Sequence, residues 1–102
     1  MVYYLFKLNP ESGVADKLLP YLEKNMGKVD YVPSKRRIVC ESVSNADADI
    51  IVFLKNNIAD SSVIFESHSA EVRLEYQFYG PAQTSTKTFL LPLEAPKAIM
   101  NL

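Results

Sequence analysis

Three observations predict an α+β domain, an antiparallel sheet with two helices packed on one face. Six runs are rich in β-branched and aromatic residues, and two longer stretches repeat apolar residues at helical spacing. In chain order they read β-α-β-β-α-β-β-β. The run Glu71 to Tyr79 also alternates cleanly, with Val72, Leu74, Tyr76 and Phe78 on one side and charged or polar residues on the other. That is the pattern of an antiparallel strand with one buried and one wet face. A chain of 102 residues is one domain by the usual span of roughly 100–200 residues. We expect it to occupy residues 1–96, with 97–102 a loosely held tail.

The first strand is expected over Val2 to Leu8, with large side chains on both faces, as suits a central strand. Asn9-Pro10-Glu11 reads as a helix start, with Asn9 as cap and Pro10 in the first turn. Val14, Leu18, Leu22 and Met26 then form the buried stripe, and Gly27 is the expected C-cap. Pro20 conflicts with that stripe, because a mid-helix proline removes a hydrogen bond and costs about 3 kcal/mol. A kink, or a helix that starts late, is the expected result. Lys28 to Val32 and Arg37 to Val43 read as a hairpin whose turn, Pro33-Ser34-Lys35-Arg36, is basic. Ser44-Asn45-Ala46-Asp47 resembles a helix-start box, with Asp47 and Asp49 favourably placed at the positive end of the helix dipole. Ile50, Phe53, Leu54 and Ile58 supply the second stripe. Ser62 to Ser67, Glu71 to Tyr79 and Ser85 to Leu93 complete the strands.

The first six of these elements resemble the β-α-β-β-α-β plan of ferredoxin-like domains, a likeness that spans roughly residues 1–80 and rests on element order alone. It implies an antiparallel sheet with both helices on one face. An additional C-terminal β-strand is expected to extend that sheet or to pair with a second chain.

Composition narrows the function classes. With 48% hydrophobic residues and a net charge of −1, the chain is not of the disordered kind. The charge is unevenly spread. Residues 1–40 hold seven basic and four acidic residues, a sum of +3, whereas residues 41–102 hold four and eight, a sum of −4. Met1 to Lys7 lacks a signal-peptide pattern, and no apolar run reaches the roughly 18 residues of a membrane span. We therefore expect a cytoplasmic protein that does not enter a membrane. A single cysteine fits a reducing compartment and excludes an intramolecular disulfide.

Catalytic signatures are sparse. Cys40 and His68 are the sole cysteine and histidine, so a Cys/His dyad would have to join them in space. Cys40 sits mid-strand, where a small buried residue is the common case. His68 is expected to be a solvated hairpin residue, paired with Glu66 or Glu71. The three glycines stand alone, so no phosphate-binding loop is present, and no spacing suits a metal. We expect no enzyme, no cofactor and no metal.

Two binding readings remain. Lys28, Lys35, Arg36 and Arg37 are candidate contacts for nucleic acid on the basic hairpin. Tyr3, Tyr4 and Phe6 invite comparison with the RNA-recognition motif, which stacks bases on its sheet. Arg36 to Glu41 has none of that motif's second signature, and a pI near 5.8 opposes a large basic footprint. Association with protein is the favoured reading, as a homodimer through a sheet edge or exposed face. Tyr79, Arg73 and Gln77 are the candidate interface residues, because Tyr79 stands on an otherwise charged face. A compact chain of this sort would suit an accessory factor of a virus or mobile element, working in the host cytoplasm. The third reading is a small-ligand domain or enzyme using Cys40 and His68.

Overall fold

The computed structural model describes residues 1–9, 13–58, 62–70, 72–79 and 84–89, with Tyr79 and the last stretch given by backbone. The elements are β1 (Val2–Leu8), α1 (Val14–Asn25), β2 (Gly27–Val32), a 3-10 turn (Pro33–Lys35), β3 (Arg37–Ser42), α2 (Asp47–Asn57), β4 (Ser62–His68), β5 (Arg73–Tyr79) and β6 (Thr84–Phe89). They form an α+β domain whose single sheet has the order β2-β3-β1-β4-β5-β6. Every neighbouring pair is antiparallel. Two strands, rather than one, extend the sheet beyond β4. The expected tail, residues 97–102, lies outside the described residues.

Both helices cover one face. Val14, Leu18 and Leu22 of α1 and Ile50 and Leu54 of α2 are buried against Tyr4, Phe6, Ile38, Cys40, Val63, Phe65 and Phe78 from the sheet. Aromatic rings run across that face: Phe6 and Phe65 stack at 5.5 Å, and Phe65 and Tyr76 at 4.7 Å. Such contacts add about 0.5–1.5 kcal/mol each beyond area burial. Above the sheet, Tyr21 of α1 stacks on Phe53 of α2 at 4.1 Å. The Lys17 ammonium donates to the Asn57 carbonyl, placing a cation at the negative end of α2.

The helix ends differ from expectation in two places. Gly13, not Asn9, occupies the N-cap position of α1, and Pro10 and Glu11 lie outside the described residues. At the other end Met26 is the C-cap in an extended conformation, its N–H donating to the Leu22 carbonyl, and Gly27 already begins β2. The residue after Gly27, Lys28, is left-handed at φ 48°, where β2 bulges against β3.

Pro20 lies inside α1 as its seventh residue. It is tolerated because it is exposed, on the side opposite Val14, Leu18 and Leu22. The carbonyl it leaves without a helical donor is that of Asp16, also exposed, where water can replace the missing bond. Pro20→Ala restores the donor, so urea unfolding should show a gain of about 1–3 kcal/mol, less the lost rigidity of the unfolded chain.

At the start of α2 one carboxylate ties helix to sheet. Tyr4 donates to Asp47 Oδ1 and Tyr76 to Oδ2, each at 2.6 Å. The Tyr4 oxygen also accepts the Ala46 N–H at 2.7 Å, and Asn45 Oδ1 accepts the Asp47 N–H at 3.0 Å. Burial, with the Asp47 carboxylate close by, pushes both phenols above their ordinary range. Asp47→Ala strands two phenols and should cost about 2–4 kcal/mol in denaturant titrations. Tyr4→Phe should cost more than Tyr76→Phe, since it also orphans the buried Ala46 N–H, and a double-mutant cycle should reveal coupling between the two.

Candidate functional site

The face of the sheet away from the helices was expected to be wet, and it is not uniformly so. Leu5 and Val39 are buried there as a second small core, with Tyr3 packed against them. Beside Leu5 on the neighbouring strand lies Glu66, fully buried. The alternation that sends Phe65 to the helices sends Glu66 to this face, together with His68, Tyr3 and Lys7.

Glu66 is held by three basic side chains from three strands. Lys7 Nζ of β1 lies 2.7 Å from Oε2, and His68 Nε2 of β4 lies 2.8 Å from Oε1. From β5, the Arg73 guanidinium places Nε 3.2 Å from Oε1 and Nη2 donates to Oε2 at 3.3 Å. Burial works to raise the carboxyl, but the hydrogen bonds from His68 and Lys7 and the charges of Lys7 and Arg73 outweigh it. The result is a carboxyl brought down to about 2. His68 is therefore a buried strand residue rather than a solvated loop residue, and its partner is Glu66.

Each candidate residue can now be placed. Arg73 and Gln77 share this face by register, but both are engaged inside the chain: Arg73 with Glu66, and Gln77 with Glu75 through a 3.0 Å hydrogen bond. Tyr79 closes β5, and its side chain lies outside the described residues. Lys35, Arg36 and Arg37 come together at the β2–β3 turn, where the Arg37 guanidinium donates to the Lys35 carbonyl. Lys28 is not with them. It sits at the far end of β2, its ammonium 3.7 Å from Glu41. Of the three aromatics on β1, Tyr4 and Phe6 point into the helix-covered core and Tyr3 alone is on the open face, so β1 presents no row of rings there.

Cys40 and His68 lie on opposite faces. The thiol is buried in the helix-side core, where burial, followed by the Glu41 charge, pushes it up to about 12. Among the described residues no group of three or more His, Cys, Asp or Glu is arranged to hold a metal, and no helix is long and apolar enough to cross a membrane. Sequence reasoning missed Lys7 and Glu66 as partners. The available signal was period-two alternation in both strands, which puts Lys7 on the face opposite Phe6 and Glu66 on the face opposite Phe65.

No protein-family model, curated protein or solved structure matches this chain.

The Glu66 cluster dictates a pH response. A carboxyl held below its unfolded value of 4.5 stabilises the fold above that value, and this contribution is lost as pH falls from there towards about 2. Its full size is on the order of 3 kcal/mol. Chemical denaturation between pH 6 and pH 2.5 should show a decline that Glu66→Gln flattens, with the variant less stable than the natural chain at pH 6.

Proposed function

We propose that this chain is a non-catalytic binding protein that acts by association with protein, first with a second copy of itself, through the free edge of its sheet at β6. In this reading the first six elements take the ferredoxin-like plan, and β5 and β6 carry the sheet outward from β4. The reading rests on the contrast between the two edges. β2 is interrupted by a bulge between Gly27 and Asp30 and carries a left-handed lysine, features that blunt an edge against pairing. β6 pairs with β5 at six successive positions without irregularity and is the last strand of the sheet. Among the described residues no strand lies on its outer side.

The exposed-face alternative is less supported, because Arg73 and Gln77 are already engaged within the chain. The nucleic-acid alternative retains Lys35 and Arg36 as exposed cations at the turn. Folding mixes the two charge halves, however, setting Lys7 against Glu66 and Lys28 against Glu41.

Light scattering on a concentrated sample should give twice the 11.5 kDa chain mass. Neighbouring strand residues turn their N–H groups to opposite sides, so of Thr86→Pro and Lys87→Pro one removes an outward donor and leaves the β5 ladder intact. That variant should be folded by circular dichroism and monomeric. A natural chain that stays monomeric, or two folded proline variants that both dimerise, would overturn the reading.

A further inference from the structure

We infer that two copies pair antiparallel along β6 about a twofold axis at Thr86, so that each Thr86 faces its own copy. This rests on the reading of β6 as the association edge and adds its register. Residues directly opposite in an antiparallel pair point to the same side of the sheet. A twofold axis relating two edge strands therefore stands perpendicular to the sheet and passes where a residue meets itself. Within Thr84–Phe89 the interior choices are Ser85, Thr86, Lys87 and Thr88.

Length and charge decide among them. Axes at Ser85 or Thr88 pair three positions, whereas axes at Thr86 or Lys87 pair five. An axis at Lys87 sets two lysines directly opposite, which is destabilising. With the axis at Thr86, Thr84 meets Thr88, Ser85 meets Lys87 and Thr86 meets itself, so no like charges are opposed. The segment Thr84-Ser85-Thr86-Lys87-Thr88 is nearly symmetric about its centre, and threonine pairs are favourable across strands. The self-complementary pattern is what selects a second copy over an unrelated strand.

The register has a consequence for the assembly. Thr84, Thr86 and Thr88 are in register with Phe78, Tyr76 and Leu74, the helix-side positions of β5. A perpendicular axis preserves sheet faces, so the helices of both copies lie on one side of a continuous twelve-strand sheet, six strands from each. Both Glu66 clusters lie on the other.

Single cysteines test the register under mild oxidation, with Cys40 as a buried bystander whose thiol is pushed up to about 12. At the axis, Cα atoms approach to about 4.5–5.5 Å, within disulfide reach. Thr84 lies four residues from its own copy, about 13 Å, beyond reach. Thr86→Cys should form a covalent dimer and Thr84→Cys should not, while mixing Thr84→Cys with Thr88→Cys should yield a cross-linked pair. If light scattering finds a dimer but Thr86→Cys fails to cross-link, or Lys87→Cys cross-links in its place, the register is wrong and the edge reading survives. If the natural chain is monomeric, both fall.

Discussion

The hydrogen bonds from Tyr4 and Tyr76 to Asp47 are the constraint on which the helix-covered half depends. Asp47 is the first residue of α2, and its two donors come from β1 and β5, strands separated in the sheet by β4. One carboxylate therefore fixes where α2 begins over the sheet and ties that point to two strands at once. Ile50 and Leu54 reach the core because of it. Burying a carboxylate is unfavourable in itself. Here two phenol donors share its charge, and the positive end of α2 adds a favourable field. Tyr4 also accepts the Ala46 N–H, so the same hydroxyl satisfies a backbone group ahead of the first turn.

The opposite face solves a similar problem with the opposite chemistry. Glu66 is as deeply buried as any apolar core residue, yet it is surrounded by Lys7, Arg73 and His68 instead of phenols. A carboxylate with no helix near it needs cations, and Lys7 of β1 and Arg73 of β5 supply them, with the His68 imidazole as a further hydrogen-bond partner. This arrangement uses two basic side chains that the sequence would otherwise offer to a partner. Of the basic residues among the first forty, Lys7 at Glu66 and Lys28 at Glu41 are engaged within the fold. A segment sum taken along the chain is a poor guide to the surface potential of a sheet whose strands are not adjacent in sequence.

Much of the fold was legible in the sequence. β1 matches its expected span, both helical stripes face the core, and the alternation of Glu71–Tyr79 places Tyr76 and Phe78 on the helix side. The helix start was misread because Asn9 and Pro10 are ideal cap residues by type, whereas the helix begins later, at Val14. His68 was misread because a polar Ser-His-Ser stretch has loop composition, and only strand register reveals that its side chain meets Glu66 two residues earlier. The clusters at Asp47 and Glu66 were illegible for a shared reason. Each joins residues that are far apart in the chain, and pairing them requires the strand order. Asp47 could be read as a favourable charge at a helix start, but not as the acceptor for two particular tyrosines.

The position of β6 bears on why the sheet is as wide as it is. Among the described residues the helix-side core extends outward as far as Tyr76 and Phe78 on β5. A strand beyond β5 adds a backbone ladder to the sheet and, among the described residues, has no partner strand on its own outer side. An edge without a bulge invites pairing. The chain has the means to guard an edge, since β2 carries a bulge and a left-handed lysine. Their absence from β6 is the contrast on which the proposed self-pairing rests, and core packing alone does not account for the extension beyond β5.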